Sequence, residues 1–398
     1  MKSAFTVAFF VVGNLIGSGF FIVPSLLAPI GGSLLYSWAI TCSMAVIFAL
    51  VFGRLYTLFP KVSVISDYFQ NDKFKRIIAI VYWLSCVIGN TGVLIVLVAS
   101  CNTNLNINIL AGIFMLLLTV GNAFVKYRTI ERSEAILSLS KFSILIILPV
   151  IFCIIQPSFF TMPEFKGTSS QIALLGISSI WAFLGIETAG LFGSGESARK
   201  GLLYGVIASS VLYISLSLFL VGCVDEQTLQ SSNVPFALLA TKFLGQGSEK
   251  YISFLIAFTC FGSLYGWIAA TGKMSLFFAK SGSFGKSFLK QTKSDISSYG
   301  LWVSSLISFS CFVAVSNMQI KEQFEFVANV CVYLSLALYG MCSLICFKNS
   351  KKQFDKVTSI LAIVSVVASF AVSMIMLAIV CLTFFITWCY VKLFIKKA

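Results

Sequence analysis

Apolar residues run along this chain in stretches of about 20, the length of one bilayer crossing, separated by short polar joints. The stretches predict spans near 4–28, 33–53, 77–99, 107–125, 136–156 and 171–193. A second set follows near 202–223, 251–272, 299–317, 326–347, 357–375 and 377–395. Runs of this length are too long for β-barrel strands. The last two follow one another without a polar break, so a turn near Ser373 is placed there because one span of that length would overshoot the bilayer. The longest polar joints, around 157–170, 224–250 and 279–298, are too short to hold a soluble core. The expectation is an all-α polytopic membrane protein of twelve transmembrane helices, a single domain over 1–398. The first stretch carries Asn14 and Pro24 and runs straight into a second, so it reads as a span and not as a removed leader.

Composition agrees. Hydrophobic residues make up 58% and charged residues 11% of the 398, with a mean hydropathy of +0.97. Soluble domains carry roughly 25% charged residues, so soluble enzymes, nucleic-acid binders and disordered chains are excluded. The net charge of +14 reports topology instead of an acidic partner. With the N-terminus placed in the cytoplasm, only Lys166, Lys242, Lys250 and Lys321 of the 28 Lys and Arg fall outside, which leaves 24 inside. By the positive-inside rule that split predicts twelve spans with both termini cytoplasmic. Histidine is absent, which removes imidazole metal sites and proton relays. The twelve cysteines, Cys42, Cys153 and Cys381 among them, lie scattered through apolar runs without a CxxC pair and read as small buried hydrophobes. No cofactor or metal is called for.

Several residues inside the spans need an explanation. The first span reads Gly13-Asn14-Leu15-Ile16-Gly17-Ser18-Gly19, with Pro24 beyond. Gly13 and Gly17 could form a GxxxG packing face, but that leaves Ser18-Gly19 and Pro24 unaccounted for. A broken helix accounts for them, its second half presenting free backbone N–H groups to an anion such as a carboxylate. In the sixth span, Trp181-Ala182-Phe183-Leu184-Gly185-Ile186-Glu187 holds the one acid in the middle of any predicted span. A structural hydrogen bond is the plain alternative for Glu187, yet burying an acid in a bilayer costs several kcal/mol. Gly185 permits unwinding there, and the carbonyls so freed suit an ammonium group. Interrupted spans at the start of two five-span halves, about 4–156 and 171–347, point to a transporter with a midplane site. In the third span Tyr82, Cys86 and Asn90 are four apart and share one helical face. Tyr82 and Trp83 could also be interfacial aromatics. Trp267 lies inside the eighth span, where it could pack in the core or, with Trp181, offer a ring face to a cation.

Together these segments resemble the amino acid–polyamine–organocation family, in particular its bacterial branch of basic amino acid/polyamine antiporters. The resemblance implies a five-plus-five inverted repeat with two further helices over about 357–395, in a bacterial inner membrane. It implies that the substrate carboxylate meets the break at Gly17, Ser18 and Gly19, with Leu15 beside them. Trp181 would cover the substrate, the Leu184 carbonyl would hold its amino group, and Ser85, Cys86 and Asn90 its distal end. Trp267 would be a middle gate, and Tyr82 with Glu187 an inner gate linked to proton sensing. Lys141 matches a lysine of proton-coupled relatives, or is an anchor that snorkels to the interface. Three features depart from the pattern: Ala182 stands in place of a serine, Glu196 to Lys200 lack an asparagine-proline, and Val62-Ser63-Val64 replaces a glycine pair.

The implied function is exchange of a cationic amino acid (arginine, ornithine or lysine) for a related amino acid or polyamine (agmatine, putrescine or cadaverine). A proton-coupled symporter or permease, of neutral amino acids included, is the alternative. Partners are then a small-molecule substrate and the lipid bilayer, with a homodimer allowed and no nucleic acid. A receptor would need a signalling domain, and an enzyme a nucleophile–base pair or metal set. Neither is visible in the sequence.

Overall fold

A computed structural model describes residues 3–62, 64–101, 103, 105–124, 160–293 and 295–394. The predicted fifth span, Lys141 and Cys153 lie outside these residues. The first span is two helices, α1 (Ala4–Leu15) and α2 (Ser18–Leu27). Then come α3 (Leu34–Leu58), α4 (Asp72–Ala99) and α5 (Ile107–Phe124). The sixth span holds α6 (Ser169–Ser178) and the four-residue α7 (Ala189–Phe192), with two 3-10 turns between them. After α8 (Gly195–Cys223), two short helices, α9 (Glu226–Ser231) and α10 (Pro235–Leu244), cross the longest polar joint. The last five are α11 (Glu249–Lys280), α12 (Ser298–Val315), α13 (Ile320–Asn349), α14 (Gln353–Val372) and α15 (Met374–Phe394).

Ten segments among the described residues are long and apolar enough to cross a bilayer, and the broken first span adds another. Their ends follow local chemistry. Asn71 caps α4 by accepting from the Phe74 N–H, Ser297 caps α12, and Thr168 with Gln171 closes a reciprocal capping box on α6. Ser373, in extended conformation, separates α14 from α15 where the turn is predicted. Cys381 departs from expectation. It is exposed on α15, on a face shared with Leu382 and Phe385 that is suited to lipid, and a thiol there is as apolar as its neighbours.

Packing divides the helices into two groups around the broken spans. The helices α1 and α3 lie against α8, and α6 against α3, while α4 is enclosed by α11, α12 and α13. Close approach of α1 to α8 depends on two glycines one turn apart. A Cβ on Gly201 would stand 2.5 Å from the Val7 Cβ, and one on Gly205 2.6 Å from Val11 Cγ1. The α14 helix packs on α13 and reaches back to α3. At that contact, Arg54 Nε meets Asp355 Oδ2 at 2.8 Å, with both side chains largely buried.

Candidate functional site

The site starts from the two breaks. In the first span the helix stops at Leu15, Ile16 and Gly17 are extended, and α2 begins at Ser18 with no side-chain cap. The opening N–H groups of a helix have no partner inside it, so those at Ser18 and Gly19 are left for whatever occupies the space before them. The carbonyl end is tied down by Tyr213, whose hydroxyl donates to the Leu15 carbonyl at 2.9 Å. In the sixth span Leu184 is extended and Gly185 has φ +103°, a left-handed conformation that side chains rarely adopt. Asn14 joins the two breaks directly. Its Nδ2 donates to the Gly185 carbonyl at 3.3 Å and to Thr188 Oγ1 at 3.0 Å.

Between the breaks lies a cavity of about 90 Å³, room for about three water molecules at roughly 30 Å³ each. Leu15, Gly17, Ser18 and Gly19 line it from the first span, and Trp181, Leu184 and Glu187 from the sixth. Tyr82, Ser85, Cys86 and Asn90 form its α4 wall, and Trp267 enters from α11. Every candidate residue that falls within the described chain is therefore brought to one place. Lys141 is the exception, being outside the described residues.

Glu187 sits at one end of the cavity. Its Oε1 accepts from the Tyr82 hydroxyl at 2.9 Å. Its Oε2 accepts from the Tyr339 hydroxyl and, at 3.2 Å, from the Gly185 N–H. Three donors on one carboxylate form a charge-assisted clasp that ties the sixth span to α4 and α13. Tyr56 donates to the Glu187 carbonyl at 2.7 Å, and Thr188 Oγ1 to the Gly185 carbonyl at 2.6 Å. The carbonyls freed by the left-handed turn at Gly185 are thus already engaged by protein donors. Upstream of that turn the backbone at Leu184 is extended.

Two aromatic residues divide in role. Trp181 borders the cavity and packs edge-to-face on Phe324, ring centroids 5.4 Å apart. Trp83 is no interfacial aromatic. It is buried, and its Nε1 donates to the Thr271 carbonyl at 3.2 Å, which fastens α4 to α11. Asn90 is 1% exposed, and its Nδ2 has no partner within the described residues. A buried donor in that condition costs about 1–3 kcal/mol until something pairs with it.

Sequence reasoning passed over the α13 wall, where Cys331 and Ser335 line the cavity and Tyr339 reaches Glu187. These three are four residues apart, the same helical-face signal that Tyr82, Cys86 and Asn90 give on α4. Ser263, one turn before Trp267, was likewise not anticipated.

Comparison with known proteins decides the family. Residues 3–394 match the family described as amino acid permease. The chain belongs to that family. Among its relatives, the cadaverine/lysine antiporter of Escherichia coli (strain K12) is 24% identical over 353 residues, covering 83% of this chain and 79% of the relative. The putrescine transporter PotE of the same strain is 24% identical over 387 residues, covering 90% and 87%. The putative arginine/ornithine antiporter of Bacillus subtilis (strain 168) is 23% identical over 386 residues, covering 83% and 82%. This permease is accordingly a multi-pass membrane transporter with a small-molecule substrate of the amino acid or polyamine class.

Proposed function

We propose that this permease is an antiporter, exchanging a cationic amino acid for a related amino acid or its decarboxylated amine by alternating access. The supporting observation is the charge pattern of the cavity. Among the described residues that line it there is one carboxylate, Glu187, and no lysine or arginine, while two indoles and the Asn90 amide border the rest. Such a lining favours a cation. Among the described residues that line the cavity, the N–H groups at Ser18 and Gly19 offer a place suited to a carboxylate. An amino acid would lie with its carboxylate at α2, its amino group at Leu184 and its distal charge toward Asn90. An amine without the carboxylate would use the remaining contacts. Most of the basic residues, 24 of 28, then face the cytoplasm with both termini, in a bacterial inner membrane.

Purified protein in proteoliposomes tests this. Labelled arginine, ornithine and lysine are offered outside vesicles that are empty, or loaded with the same amino acid or its amine. Uptake dependent on internal substrate supports exchange. Equal uptake into empty and loaded vesicles overturns it in favour of proton-coupled symport.

A further inference from the structure

Gly92 lies in the middle of α4, where glycine is a poor helix former. A Cβ built there would meet Trp181 Cη2 at 2.7 Å, Cζ2 at 2.9 Å and Cζ3 at 3.6 Å, so its three nearest neighbours all belong to one indole. The opposite edge of the same ring rests on α2. A Cβ on Gly19 would stand 2.5 Å from Trp181 Cδ1 and 3.0 Å from Nε1. The ring thus spans lengthwise from the first broken span to α4, benzo edge on Gly92 and pyrrole edge on Gly19, with Phe324 of α13 against it. Gly89, one turn away on α4, is looser, with Cη2 at 3.8 Å.

The geometry points to Gly92 as a positioning residue: with Gly19 it forms a seat that only an unsubstituted backbone provides, and the seat sets how far Trp181 closes over the cavity. Real Cβ atoms do not approach other atoms as closely as 2.7 Å, and both the ring and the α4 backbone are rigid. A methyl at position 92 therefore pushes the benzo edge off α4, and because the pyrrole edge already rests on Gly19 of α2, the indole can only leave the seat sideways. This inference rests on the reading of the cavity as the substrate site, and it concerns the fit of the indole over that site.

The test is a double-mutant cycle on purified, full-length protein with labelled arginine, ornithine or lysine as ligand. Gly92→Ala is expected to weaken binding by about tenfold, the scale of a one-methyl overpacking. In a Trp181→Phe background, where the benzo edge is gone, the same change should cost less than about twofold. Equal losses in both backgrounds would overturn the seat. A ligand-free measurement runs beside it: the rate at which maleimide labels Cys86 in the cavity, followed by peptide mass mapping. That rate should rise in Gly92→Ala over wild type, and Gly92→Ala should leave it unchanged in the Phe background. A wild type that binds none of the three ligands counts against the substrate reading, whereas labelling still decides the seat. If Gly92→Ala does not fold, the double variant should. Failure of both to fold refutes a clash with the indole as the cause.

Discussion

Replacing Glu187 with glutamine removes the charge from the clasp while keeping its shape. The ionised carboxylate accepts from Tyr82, Tyr339 and the Gly185 N–H. Hydrogen bonds to a charged acceptor contribute about 1.5–3 kcal/mol each, against about 0.5–1.5 for a neutral one. Neutralisation therefore weakens each bond by about 1 kcal/mol, and the three together by about 2–3 kcal/mol. At 1.4 kcal/mol per tenfold, the balance moves by about 30- to 100-fold toward states in which the tyrosines are released. Protonation of the wild-type carboxyl has the same consequence, so acid should loosen the clasp. Among the described residues, the other ionisable side chains facing it are Tyr56, Cys86 and Cys342, whose ordinary ranges of about 8.5 for thiols and 10 for phenols lie above the acid region. Exchange in proteoliposomes, measured over a series of pH values, should depend on pH in the wild type and be nearly flat in Glu187→Gln. Substrate binding and a monodisperse elution profile should persist in the variant. A variant with the wild-type pH profile would refute the reasoning, and Lys141→Ala would be the next substitution to run in the same assay.

Asn90→Ala should weaken binding of long cationic amino acids by about 10- to 100-fold, the scale of a hydrogen bond to a charged group, and spare their neutral analogues. A uniform loss would make Asn90 structural. Tyr213→Phe leaves the buried Leu15 carbonyl unpaired and should cost about 1–3 kcal/mol, read as a lower melting temperature in detergent. If the first break holds a carboxylate, that variant should also lose affinity for amino acids more than for the matching amines. Asp355→Asn strands the largely buried Arg54 guanidinium and should destabilise by about 2–3 kcal/mol, at or below the low end for a buried pair because both side chains keep some solvent contact. An unchanged melting temperature would show that water replaces the lost partner.

Much of the architecture is legible because a bilayer imposes a period that sequence cannot disguise. The spans, the turn at Ser373 and the two interrupted helices all follow from apolar run length and from glycines placed where no helix needs them. Boundaries are less legible. The eighth span is predicted near 251–272, yet α11 continues to Lys280, because a helix may leave the apolar layer before it ends. In the site, charged and strained residues announce themselves: an acid such as Glu187 is costly to bury in lipid, and Gly185 takes a left-handed conformation that side chains rarely adopt. Cys331, Ser335 and Tyr339 carry no such mark. In an apolar run they read as ordinary core, and only the partner across the gap gives them a role.

That asymmetry bears on how the two broken spans work as one element. Unwinding a helix inside a bilayer exposes backbone groups that lipid cannot satisfy, at several kcal/mol each. Here the cost is offset from four directions: Tyr213 on the Leu15 carbonyl, Asn14 and Thr188 on that of Gly185, and Tyr56 on that of Glu187. Three of these donors come from spans other than the one they serve. The carbonyl side of each break is therefore held by protein donors, while the N–H side of the first is left open. The open N–H donors at Ser18 and Gly19 suit an acceptor such as a carboxylate, and the unpaired Asn90 Nδ2 is likewise a donor, so a cationic head would have to use the Oδ1 of the same amide. Because Asn14 bonds the sixth span from the first, neither break can shift alone without losing hydrogen bonds at 3.0 and 3.3 Å. A movement that opens the cavity would then carry both breaks together against α4 and α13, and the Glu187 clasp is the contact it has to break.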